Sequence, residues 1–283
     1  MKKYVIVAES GADLSKELIE KYNIKIAPMH IEMEGTDYLD GQLSIEEMDS
    51  YYQRTKKVPH TAGASPYHYE QIFTEIKKEN PEAIVLHLCY SAQLSVCFQN
   101  SLIADDKQLR IYRIDSKQVS IGQAFLVTKV AKLIEAKPDI ETEELLKQID
   151  MIVEKMRFHF VPGNLDYLKA GGRVSNAQYL GAMLFRIRPL IELLDGLMIS
   201  TKKYRGLKKE IVKEMVAGFF ANNNIDKETV FIGCSGATEE DVKDAMMKQV
   251  AEYGVKEILW FEAGTVITCH AGPGGVGIGG SEV

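Results

Sequence analysis

The chain has 283 residues, 46% of them hydrophobic and 26% charged, with a formal net charge of −6. That length suits one large domain or two lobes of ordinary size, each with a real core. The acidic balance and the lack of a dominant basic face argue against a nucleic-acid footprint.

The opening MKKYVIVAES carries two lysines and then only a short apolar run before Glu9. That run is too short for the hydrophobic stretch of a secretory leader, and it reads as a first buried strand. The amphipathic LSKELIEKY follows, then IKIAPMHIEME. Ser44-Ile45-Glu46-Glu47 has the form of a capping box and predicts a helix start. A second helix is expected near Pro66. Residues 83–104 carry no formal charge, so a membrane span must be weighed. Gln93, Gln99, Asn100 and several serines favour a strand (AIVLHLC), a loop and a helix (LSVCFQNSLIADD) instead. RIYRID reads as the next strand, with a helix from about Ser120. This alternation predicts a parallel sheet with helices on both faces. Ligands of such sheets sit at the carboxyl ends of the strands, where Ser91 and Asp115-Ser116 fall.

The second half has another rhythm. A helix over about 142–157 leads into FHFVPG. Ser175-Asn176-Ala177-Gln178 is a second capping box. Leu180, Met183, Leu184 and Ile187 then fall on one helical face, with Pro189 as the expected end. GLMIST, TVFIGCSG, KEILWFE and TVITCH read as strands, the last two joined by a turn at Ala263-Gly264. The expected fold is therefore α/β with two lobes: a parallel-sheet lobe over 1–160 and an α/β lobe with antiparallel elements over 161–283.

Chemistry-bearing motifs are sparse. Cys89, Cys97, Cys234 and Cys269 form no CxxC pair and show no metal spacing, so reduced structural thiols and a cytoplasmic setting are expected. No GxSxG elbow and no HExxH occurs. The tail ITCHAGPGGVGIGG formally contains GxGxxG, but no helix follows it and no acid stands about twenty residues on, which argues against a dinucleotide fingerprint. His270, just before these glycines, sits beside a backbone that can approach a ligand closely. HTAGASP (Thr61, Ser65) and SAQLS (Ser91, Ser95) each precede a helix. Such hydroxyls are ordinarily N-caps, but helix starts also favour an anion, and two of them would hold one carboxylate.

The order of these segments resembles the bacterial DegV family, whose characterised members are the fatty-acid-binding subunits of fatty acid kinase. VAESGADLSKELIEKYNIKIAPM, IEMEGTDYLDG, RIDSKQVSIGQ, KYRGLKKE and CHAGPGGVG all match in order. NLDYLKAGGRVS followed by RIRPLIELLDG is the most specific match. Glu9 stands where the family commonly has aspartate. Ala62, Gly63 and Ala64 replace its usual serine, glutamine and proline, and Val96 and Cys97 replace glycine and threonine.

The resemblance implies a carrier that buries a long-chain fatty acid between its lobes. The carboxylate would meet Thr61 and Ser95, with Ser91, His270 and Arg205 close by. A separate ATP-dependent fatty acid kinase would then form the acyl phosphate. Arg173 of the Gly171-Gly172-Arg173 turn is the expected kinase contact. No metal or cofactor of the chain's own is implied, and a transient contact with a membrane surface is compatible with the role. Burying about 16 carbons would supply on the order of 10 kcal/mol before ordering costs. Two other readings stay open: a serine/histidine acyl hydrolase or acyltransferase, and a sensor of a small non-lipid ligand.

Overall fold

The computed structural model describes residues 3–105, 107–174 and 187–283. In chain order, the first half runs β1 (Tyr4–Glu9), α1 (Lys16–Tyr22), β2 (Lys25–Ala27), β3 (His30–Met33), β4 (Thr36–Leu39), α2 (Ile45–Thr55), β5 (His60–Ala62), α3 (Pro66–Glu79), β6 (Ile84–Cys89), α4 (Cys97–Ile103), β7 (Arg110–Asp115) and α5 (Ser120–Ala136). It continues with α6 (Thr142–Lys155), β8 (Met156–Val161), α7 (Leu165–Gly171), β9 (Ile187–Leu194), β10 (Leu197–Arg205), α8 (Lys208–Asn222), β11 (Thr229–Ser235), α9 (Glu240–Ala251), β12 (Glu257–Ala263), α10 (Thr265–Ala271) and β13 (Gly275–Ser281).

The expected parallel sheet has the order β2-β1-β6-β7. Its central strand β6, IVLHLC, is buried at every position, as a parallel strand covered on both faces must be. The capping box at Ser44 opens α2: Ser44 Oγ accepts from Glu47 N–H, and Glu47 accepts from Ser44 N–H. A small antiparallel sheet, β4-β3-β5, carries Thr61.

The second lobe is a six-stranded sheet of order β10-β9-β8-β13-β11-β12. Only the β11–β12 pair is parallel. Its first strand in the chain, β8, begins at Met156, so the sheet recruits chain from ahead of residue 161. One face packs on α8 and α9 through a core that includes Ile211, Met215, Phe219 and Val230. The opposite face meets α5. That helix is apolar nearly all round and is buried from Ser120 to Thr128, the pattern of a core helix. It touches β1 and β6 on one side and β8, β11, β12 and β13 on the other, so it is the shared interior of the two lobes.

Two expectations are corrected. TVITCH is not a strand: Gly264 precedes the helix α10, which is buried at Thr265–Cys269 and again at Ala271. A short apolar run cannot by itself distinguish a buried strand from a buried helix. The chain thus leaves β12, crosses through α10 and re-enters the sheet as β13, with no hairpin at Ala263-Gly264. Likewise Ile187 and Pro189 lie in β9 rather than ending a helix. Described β8–β9 pairing is confined to residues 191 and 192 of β9, so the missing N–H of Pro189 breaks no rung there. Ser175, Leu180, Met183 and Leu184 lie outside the described residues. All four cysteines are free and buried. Among the described residues, no helix is long and apolar enough to cross a membrane.

Candidate functional site

A cleft between the lobes has two compartments that share Tyr90, Met198 and His270. The polar end is lined by Thr61, Gly63, Ser95 and Arg173 and encloses ≈ 410 Å³ of space, its mouth included. Thr61 reaches it from β5. It therefore does not stand at a helix start, as its place before α3 suggested; Ser65 is the residue at that N-cap, and its Oγ bonds His68 Nδ1 at 3.2 Å. Ser95 precedes α4 and bonds Cys97 through N–H and Sγ. Gly63 makes this meeting possible. A Cβ there would lie 2.8 Å from Cys97 Sγ and 2.9 Å from Ser95 Oγ.

His270, in the last turn of α10, bonds Thr61 Oγ1 through Nε2 at 2.7 Å. Its ring packs so closely on Gly171 that a Cβ there would sit 2.4 Å from Nδ1. Among the described residues, Nδ1 itself has no hydrogen-bond partner. Burial, reinforced by the nearby Arg173 cation, pushes the imidazole pKa down to about 4. The ring is therefore neutral at physiological pH, and the positive charge at this end belongs to Arg173, whose Nη1 donates to Gly171 O at 2.6 Å.

The second compartment is apolar and encloses ≈ 550 Å³, mouth included. Here the glycine-rich tail finds its place. It is no loop beyond its first residues, because Gly275–Ser281 forms the buried inner strand β13. Gly277 pairs with Gly233 of β11 on one side and Phe160 of β8 on the other. Two adjacent strands thus present hydrogen instead of a side chain to the chamber. A Cβ on Gly277 would meet Phe158 Cε2 at 2.9 Å, and one on Gly233 would meet the Phe261 backbone oxygen at 2.5 Å and Ile121 Cγ2 at 3.3 Å. Glycine in a strand interior weakens the strand, and its use here lets the Phe158 ring and the Phe261 backbone approach closely at the chamber wall.

The other expected residues lie elsewhere. Ser91 is fully buried and donates to Gly196 O at 2.7 Å, so it ties the end of β6 to the turn between β9 and β10. Arg205 is exposed at the last rung of β10, opposite Ile187, and does not line the cleft.

The sequence alone gave no sign of Glu9's part. Its carboxylate accepts from Tyr69 O–H (2.7 Å), Gln123 Nε2 (2.7 Å) and Tyr90 N–H (2.8 Å), and it pairs with His87 Nε2 at 2.7 Å. Burial alone would raise its pKa; the His87 charge and the hydrogen bonds outweigh it and hold the carboxyl below its ordinary range. This network fixes Tyr90 at the junction of the compartments. Glu9, His87 and Cys89 also lie close enough to share a metal ion. However, the glutamate is saturated by donors and His87 Nδ1 is bonded to Ser101 Oγ at 2.8 Å.

The arrangement is that of a two-lobed α/β binding protein: a hydroxyl- and arginine-lined end beside an apolar chamber. The chain belongs to the DegV family, whose model, described as "uncharacterised protein", matches residues 3–282. A DegV domain-containing protein of Clostridium perfringens is 30% identical over 282 residues, 96% of each chain. A stearic acid-binding protein of Eubacterium ventriosum is 25% identical with a TM-score of 0.85, covering 100% of this chain and 98% of that one. A DegV family protein from Thermus thermophilus shares the fold over 100% of both chains, with a TM-score of 0.88 at 24% identity.

Proposed function

We propose that the protein is a carrier for a long-chain fatty acid, holding the tail in the apolar chamber and presenting the carboxyl group to a partner kinase for acyl-phosphate formation. The observation that carries this reading is the adjacency of the two compartments, which share Tyr90, Met198 and His270 as wall residues. A molecule with one small acidic end and one long apolar end fits such a junction. Each methylene withdrawn from water contributes about 0.8 kcal/mol, which only an enclosed chamber can collect. Burying the carboxylate requires hydrogen bonds or charge compensation. Thr61, Ser95 and neutral His270 would supply the first, and Arg173 the second.

Arg173 suits a double role, because it lines the polar end and is also exposed to an approaching partner. Arg205, exposed at the end of β10, lines neither compartment and is left out of the head-group set. Self-contained acyl transfer is less well supported. Among the described residues, His270 Nδ1 has no orienting acid of the kind a serine–histidine pair requires, and Ser95 Oγ bonds Cys97 rather than His270.

Organic extraction of freshly purified protein, followed by mass spectrometry, should release fatty acid at close to one per chain. Protein that is consistently empty and indifferent to added acids would reject the carrier reading. Adding a fatty acid kinase and ATP to the loaded protein should yield acyl phosphate, and Arg173→Ala should slow that step.

A further inference from the structure

We propose that Phe231 and Phe125 form the end wall of the tail chamber and set the longest acyl chain it accepts. This rests on the carrier reading above. In an antiparallel sheet, residues two apart on a strand face the same side, roughly 7 Å from each other. The row Phe160–Gly277–Gly233 floors the chamber. The next row on the same face is Phe158–Gly279–Phe231. The paired glycines are thus followed by a row where β11 carries phenylalanine instead. From α5, above the sheet, Phe125 meets that ring edge-on, with centroids 4.4 Å apart. Phe261, in register with Gly233 on β12, stacks on Phe231 with centroids 5.0 Å apart. Phe125 and Phe231 are each 1% exposed.

Beyond the pair the same three elements line a second, open groove. α5 contributes Ile121 to the chamber and Thr128 to the groove; β13 contributes Gly277 and then Ser281; β11 contributes Gly233 and then Phe231 itself. The two spaces lie along one seam: Phe231 lines the groove, and the pair stands one residue row behind the chamber's lining residues Ile121 and Gly233, so a tail reaches it by extending past them. A tail growing along the glycine floor meets rings where a smaller side chain would let it run on towards Lys132 and Lys155.

The test measures affinities of the delipidated full-length protein for a ladder of saturated acids of increasing length, in wild type, Phe231→Leu and Phe125→Leu. Wild-type affinity should rise roughly fourfold per added methylene and then fall beyond a cut-off length. Both variants should bind acids below the cut-off within about twofold of wild type, and acids two carbons beyond it roughly tenfold more tightly. An unchanged cut-off in a folded variant overturns the wall. A wild-type crystal grown with an acid brominated at its tail end gives a readout independent of variant folding. Anomalous density against Phe231 or Phe125 supports the wall, and density in the groove beside Lys132 overturns it. Failure of wild type to bind any acid of the ladder would instead sink the carrier reading itself.

Discussion

Thr61 Oγ1 lies 2.7 Å from His270 Nε2, although 209 positions separate the two residues. The bond joins the three-stranded sheet of the first lobe to the last turn of α10, and it closes the polar end of the cleft. Because the imidazole is held neutral, the pair offers hydrogen bonds there and leaves the charge to Arg173. Thr61→Val keeps the shape and removes the hydroxyl. Fatty-acid affinity should weaken by about 1.5–3 kcal/mol, the usual loss for a hydrogen bond to a charged group. Calorimetry with unchanged affinity would move the head-group away from Thr61.

Gly277 is the centre of the chamber floor. It lacks a positive φ, so alanine is compatible with its backbone. The added methyl would meet Phe158 Cε2 at 2.9 Å and press that ring into the tail space. Gly277→Ala should therefore fold yet hold less acid, with a loss of roughly fourfold or more for long tails. Lipid occupancy by mass spectrometry after expression checks this; wild-type occupancy would show that the tail does not lie on the glycines.

Ser91 separates a structural role from a binding role. Its hydroxyl satisfies the buried Gly196 carbonyl, so Ser91→Ala should reduce stability by about 1–3 kcal/mol in urea denaturation. Fatty-acid affinity of the folded variant should stay at the wild-type value. A selective loss of affinity at wild-type stability would return Ser91 to the head-group.

Asp13 gives the protein a pH signature. Burial raises its carboxyl pKa to about 8, against the hydrogen bonds from Ser120 Oγ (2.6 Å) and Gly264 N–H (2.8 Å) that favour ionisation, while Asp40 adds a smaller upward push. The unfolded carboxyl ionises near pH 4. Between those values the fold binds one more proton than the unfolded chain, so this group's stabilisation is complete below about pH 4 and is lost as pH rises through about 8. Denaturation curves across that window should lose part of their downward slope in Asp13→Asn. An identical slope in the variant would show that Asp13 is ionised in the fold.

Much of the scaffold was legible because it is written in local patterns. The unbroken apolar run of β6 signals a central parallel strand, and Ser44 with Glu47 signals the start of α2. Thr61 and His270 were identifiable as candidates from their residue types and neighbours. The second half resisted in places where local signals are silent. The five buried residues Thr265–Cys269 fit a strand as well as a helix, and only packing between the lobes selects the helix. Pro189 looks like a helix stop but sits in a strand, which its position away from the described β8–β9 rungs permits.

The sequence by itself determined which segments alternate as strand and helix, that the tail is paved with glycine, and that hydroxyls, a histidine and arginines recur near strand ends. Those properties depend on side chains within a few residues of one another. Tertiary structure decided that Ser91 is a tie, that Arg173 rather than Arg205 reaches the cleft, and that Gly277 lies between Gly233 and Phe160. Those outcomes depend on strand order and register, which are fixed by the burial of whole faces between residues far apart in the chain. A single stretch of sequence does not contain that competition.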